Sequence, residues 1–123
     1  MKRNTDIKQS KRLAEILKSE SADMCFYNDG TAIKIDANPY TVRYSMWKDY
    51  VEVVPCWSLA ALLDILSKTA HSIDEDGSVD LCDYKNIEWS LCLTNTNVGL
   101  FTANNPVDAC VEMIMKLNKL KLL

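Results

Sequence analysis

The chain has 123 residues, 48% of them hydrophobic and 25% charged, with a formal net charge of −3 at pH 7. This composition excludes a disordered or fibrous chain and predicts one ordinary globular domain, long enough to bury a core without staples. No run of about 18 uncharged apolar residues exists and the opening MKRNTDIKQSKR has no apolar centre, so no membrane span and no secretory signal are expected, and the expected location is cytoplasmic.

The charge is segregated along the chain. Lys2, Arg3, Lys8, Lys11, Arg12 and Lys18 stand against Asp6 and Glu15 near the start, and Lys116, Lys119 and Lys121 near the end are unopposed. Between them lie the other fifteen carboxylates, against Lys34, Arg43, Lys48, Lys68 and Lys85. The basic ends can fold back on the acidic middle or reach an acidic partner.

Residues 1–5 are expected to be a flexible arm. Asp6 followed by Gln9 has the form of a capping box, and the spacing predicts a helix over 6–19 with Leu13, Ala14, Ile16 and Leu17 on one side. Lys8, Lys11, Arg12, Glu15 and Lys18 fill its other side. From Met24 the period changes to two: Cys25-Phe26-Tyr27, the turn Asn28-Asp29-Gly30, then Ile33 and Ile35 in alternation, which is hairpin chemistry. Val42, Tyr44 and Met46 predict a third strand and Val51 to Val54 a fourth, stopped by Pro55.

Ser58 is a good N-cap for a helix reaching about Ala70, with Leu59, Leu62, Leu63, Leu66 and Ala70 on one face and an Asp64/Lys68 pair on the other. Trp57 and Leu62 hold the positions of a hydrophobic staple. An acidic loop follows from Ser72 to Asp80. Ile87, Trp89, Leu91 and Leu93 alternate with Glu88, Ser90, Cys92 and Thr94, predicting a half-buried strand, and Asn95-Thr96-Asn97 turns it into Val98 to Ala103. Asn105-Pro106 opens a last helix whose apolar arc, Val107, Cys110, Val111, Ile114, Leu117 and Leu120, is wide enough to be deeply buried or shared with a neighbour. The predicted class is a single α+β domain, 1–123: a mainly antiparallel sheet with amphipathic helices packed on one face, in the order α-ββββ-α-ββ(β)-α.

The sites for chemistry are few. Residues 72–83 place oxygen side chains at positions 1, 3, 5, 9 and 12 and Gly77 at position 6 of a calcium-loop pattern. Position 1 is Ser where Asp is needed and position 12 is Asp83 where Glu is needed. No helix follows, so Asp74, Asp76, Asp80 and Asp83 are a weak metal candidate, and the expectation is a solvated acidic turn with Gly77 supplying a positive φ angle.

Five cysteines, Cys25, Cys56, Cys82, Cys92 and Cys110, show no C-x-x-C pair and are read as reduced, mostly buried thiols. Cys56 precedes a helix N-terminus, where a thiolate is favoured. The only histidine, His71, lies fifteen residues on, about 22 Å along that helix, so the two cannot form a nucleophile pair within the chain. No phosphate loop, dinucleotide fingerprint, nucleophile elbow or zinc-protease motif is present. No cofactor and no catalytic residue are expected.

Two surfaces remain as partner-binding candidates. One is the basic set Lys8, Lys11, Arg12 and Lys18, which could meet an acidic protein or nucleic-acid phosphates. The other is the aromatic set Tyr40, Tyr44, Trp47 and Tyr50, a recognition patch if exposed and core if buried.

The segments V54-P-C-W-S-L-A-A-L-L-D-I-L66 and N105-P-V-D-A-C-V-E-M-I-M-K-L117, with Trp89 between them, resemble a pattern in small α+β proteins encoded by bacterial prophages and mobile elements. The resemblance covers about residues 50–122. It implies a fold and a genomic setting and carries no activity, cofactor or catalytic residue. The function expected is a non-enzymatic interaction module with a protein partner or a second copy of itself, through the last helix or a sheet edge, and no membrane contact. The alternative is an accessory nucleic-acid binder using the basic face of the first helix.

Overall fold

The computed structural model describes residues 2–26, 32–34, 54–84 and 88–123, with 32–34 and Tyr84 described through their backbone alone. The chain divides into two compact units, one of Asn4–Ala61 and one of Met1–Arg3 with Leu62–Leu123.

In the first unit, helix α1 (Ile7–Ala14) starts where Asp6 and Gln9 place a cap. The Gln9 amide donates to the Asp6 carboxylate at 2.7 Å, and the Asp6 amide donates to the Gln9 side chain at 3.1 Å. The helix stops at Ala14, five residues short of the expected end. The amides of Ile16 and Leu17 both return to the Leu13 carbonyl, at 3.0 and 2.8 Å, and a 3₁₀ turn at Ser19–Ser21 follows. In that turn the Ser21 hydroxyl donates to the Lys18 carbonyl at 2.6 Å, a local bond that favours a turn over renewed α-helix. Only Ser10 and Leu13 of α1 are buried, and Ala14 is exposed.

Strands β1 (Met24–Phe26), β2 (Ala32–Lys34) and β3 (Val54–Cys56) form an antiparallel sheet in the order β2-β1-β3. Cys25 is opposite both Ile33 and Pro55. Pro55 was expected to end a strand and instead sits inside one. Among the described residues β3 is an edge, and an edge strand tolerates a residue without an amide donor. Helix α1 packs against β3. The predicted strand through Val42, Tyr44 and Met46 and the turn at Asn28-Asp29-Gly30 lie outside the described residues.

Helix α2 (Leu59–Ile73) begins at the Ser58 cap, whose hydroxyl accepts the Ala61 amide at 3.2 Å, and runs three residues beyond Ala70. Leu62, Leu66 and Ala70 are buried, and Asp64 and Lys68 form a wet i,i+4 pair at 2.8 Å. That pair contributes little, since both side chains are mostly in water.

In the second unit, β4 (Val79–Tyr84), β5 (Glu88–Leu93) and β6 (Leu100–Ala103) form an antiparallel sheet in the order β4-β5-β6. Its inward rows are Val79 with Leu93, and Leu81 with Leu91 and Phe101. Helix α3 (Pro106–Lys119) packs on β5 and β6, capped by Asn105, whose side chain accepts the Asp108 amide at 2.9 Å. Of its wide apolar arc Val107, Cys110, Val111, Ile114 and Leu117 are buried, as is Met113, while Leu120 at its end is 44% exposed.

The α+β class holds, with antiparallel strands and helices packed on them. Among the described residues two three-stranded sheets take the place of the single sheet expected.

Candidate functional site

The basic residues of α1 divide in the structure. Lys8, Lys11 and Arg12 are exposed on the helix, and no salt bridge among the described residues engages them. Lys18 lies beyond the helix end, in extended conformation ahead of the 3₁₀ turn, so the four cations do not form one helical stripe. Glu15 is the C-cap of α1 and is exposed.

The helix under these cations is held by a buried polar cluster. The Thr5 hydroxyl lies 2.7 Å from that of Ser10 and accepts the Trp57 amide at 3.1 Å, and the Thr5 amide donates to the Trp57 carbonyl at 2.9 Å. The Trp57 indole donates to Ser21 at 2.9 Å. The Ser58 amide and hydroxyl both donate to the Asp23 carboxylate, the amide at 2.9 Å. Residues 2–5, expected as a loose arm, thus carry contacts: Thr5 is fully buried, Asn4 bridges to Ser58, and in the other unit Lys2 pairs with Asp108 at 2.8 Å.

The same cluster decides the fate of Cys56. Its thiol donates to the Thr5 carbonyl and accepts from Asn4, both at 3.4 Å. Burial pushes its pKa up, against the opposing effect of the hydrogen bonds from the Thr5, Ser10 and Asn4 side chains, so the helix N-terminus beside it creates no reactive thiolate. Burial likewise holds Cys25 at about 11, with Cys56 nearby adding to the shift, and Cys110 at about 12. His71 is exposed on the last turn of α2.

The calcium-type pattern is taken apart by the fold. Ser72 is inside α2, Asp74 and Asp76 occupy the turn after it, and Asp80 and Asp83 lie on β4. The Asp74 carboxylate accepts the Asp76 amide at 2.8 Å, which closes the turn locally. Asp80 and Asp83 are three apart on a strand and so point to opposite faces. Among the described residues no three His, Cys, Asp or Glu side chains gather closely enough to hold a metal ion.

Asp80 instead has sulphur for company. Register sets Asp80 opposite Cys92 and Cys82 opposite Ser90, and β6 adds Leu100 and Thr102 to the same face. The Cys82 thiol donates to one carboxylate oxygen of Asp80 at 3.4 Å, and the Cys92 thiol approaches the other at 4.0 Å. Cys82 is exposed, Cys92 half-buried, and Leu100 is 65% exposed, so this face of the sheet is open to solvent. Hydrogen bonding to Asp80 and its charge raise the Cys82 pKa; partial burial, then the Asp80 charge, raise that of Cys92. This thiol pair is invisible while residues 72–80 are read as a loop. Two signals could have revealed it: Val79 and Leu81 alternate with Asp80 and Cys82, and Cys92 falls on the polar side of the next strand.

The aromatic candidates Tyr40, Tyr44, Trp47 and Tyr50 lie outside the described residues. No helix among the described residues is long and apolar enough to cross a membrane. No family model, curated protein or solved structure matches this chain.

Proposed function

We propose that this protein is a non-enzymatic interaction module that docks on an acidic protein surface through Lys8, Lys11 and Arg12. The observation that carries the reading is the exposure of three cations without ionic partners among the described residues, on a helix anchored from below by Ser10 and Leu13. A pre-ordered helix loses little further entropy on binding, and cations in a chain of net charge −3 favour an oppositely charged partner in a fixed orientation. Beside the start of α2, Ser58 and Cys56 have structural duties: Ser58 caps the helix and Cys56 is locked by Thr5 and Asn4. The resemblance to prophage-encoded α+β proteins supplies the biological setting we propose, a mobile genetic element.

Charge reversal separates this reading from its rivals. Tagged wild-type chain and a Lys11→Glu/Arg12→Glu variant are used to capture partners from host lysate, with and without nuclease. The expected result is a protein partner that survives nuclease and is lost from the variant. Capture abolished by nuclease would transfer the basic face to nucleic-acid phosphates, whose binding weakens with salt in proportion to the phosphates neutralised. Capture indifferent to the charge reversal would overturn both.

A further inference from the structure

We propose that Cys82 and Cys92 form a surface dithiol that undergoes reversible thiol–disulfide exchange, closing to a disulfide across β4 and β5 when a low-molecular-weight disulfide oxidises it. The register places them on the same open face as diagonal neighbours, and their thiols address the two oxygens of one carboxylate. The other three cysteines are buried, which confines exchange to this pair.

Diagonal positions on neighbouring strands stand about 7–8 Å apart at Cα. A relaxed disulfide has its Cα atoms within about 6.8 Å, so closure draws the strands together by roughly 1 Å. Strand β4 can supply this movement because, among the described residues, it is bonded on one side only. An exposed cross-link that pulls on its strands is easily reduced again, which makes it a reversible modification and not a structural staple.

The exchange balances without further reactants. The Cys82 thiolate attacks one sulphur of the small disulfide, whose S–S bond breaks and releases one small thiolate. The Cys92 thiolate then displaces the second small thiol from Cys82, forming the Sγ–Sγ bond. Two protein thiols are oxidised by two electrons, one small disulfide is reduced to two thiols, and those thiols carry away the two protons. Asp80 restrains the reaction, because its carboxylate favours the protonated thiols.

The test equilibrates native protein with mixtures of oxidised and reduced glutathione, blocks remaining thiols with a maleimide, and reads intact mass and cross-linked peptides. Wild type is expected to lose two thiols together, retain no glutathione and yield a Cys82–Cys92 linked peptide that reduced glutathione reverses. Cys92→Ser is expected to stop at one glutathione on Cys82, and Cys82→Ser, at an exposed position, provides the reciprocal arrest should the first variant disturb packing. Asp80→Asn is expected to close several-fold faster. Independent glutathione adducts on both cysteines without a linked peptide, a cross-linked dimer, or unreactive thiols would each overturn the proposal.

Discussion

Gly77 shows how a residue can be required for a reason other than backbone conformation. The acidic turn called for a glycine to supply a positive φ angle, yet the positive-φ glycine among the described residues is Gly99, at φ 111° with no neighbour crowding its would-be Cβ. Gly77 is needed for space. A Cβ there would stand 2.4 Å from the Ala70 carbonyl oxygen and 2.9 Å from that of Asp74, where the turn folds back on the end of α2. Both obstacles are backbone, so the helix end or the turn must move. Gly77→Ala should therefore cost about 1–3 kcal/mol, the usual range for overpacking, seen as a lower urea midpoint with an unchanged slope.

At the scale of the element, helix ends divide into those marked by side chains and those made by geometry. The starts of α1 and α3 were visible as Asp6 with Gln9 and Asn105 with Pro106, because an N-cap is a side-chain function confined to few residue types. The end of α3 was not. It closes in a Schellman motif: the Leu122 amide reaches the Leu117 carbonyl at 2.9 Å and the Lys121 amide reaches Asn118 at 3.0 Å. The left-handed position belongs to Lys121 at φ 60°, where glycine is usual and would have marked the stop. Replacing Lys121 by Gly relieves the Cβ clash and should raise stability by about 1 kcal/mol in chemical denaturation. The early stop of α1 is also made by geometry, since the apolar spacing continues through Ile16 and Leu17 while both their amides return to the one Leu13 carbonyl and close the last turn.

For the whole molecule, the buried thiols predict an alkaline limit to stability. Cys25, Cys56 and Cys110 have raised pKa values in the folded state, because burial disfavours the thiolate. The unfolded chain, with thiols near 9.0, loses these protons first, so the folded state falls behind as pH rises. Stability from this source is fully present below about pH 9 and declines from there towards 12, at up to about 1.4 kcal/mol per pH unit per buried thiol. Denaturant unfolding across this range should show the fall, and Cys110→Ala should make it shallower. A curve that stays level up to pH 11 would contradict the burial of these thiols.

Local chemistry determined the α+β class, the helix starts, the β5 strand and the wet face of α2 from the sequence by itself, because caps and hydrophobic periodicity act over a few residues. The sequence also held the ingredients of the thiol pair, but Cys82 and Cys92 became a site only when β4 paired with β5 in one register and brought Asp80 between them. Tertiary structure likewise decided that the apolar arc of α3 is buried from Val107 to Leu117 and open at Leu120, that Pro55 lies inside a strand at the edge of the described sheet, and that Gly77 has no room for a side chain. Each depends on a neighbour distant in sequence, and burial and register are properties of pairs of elements that no single segment carries.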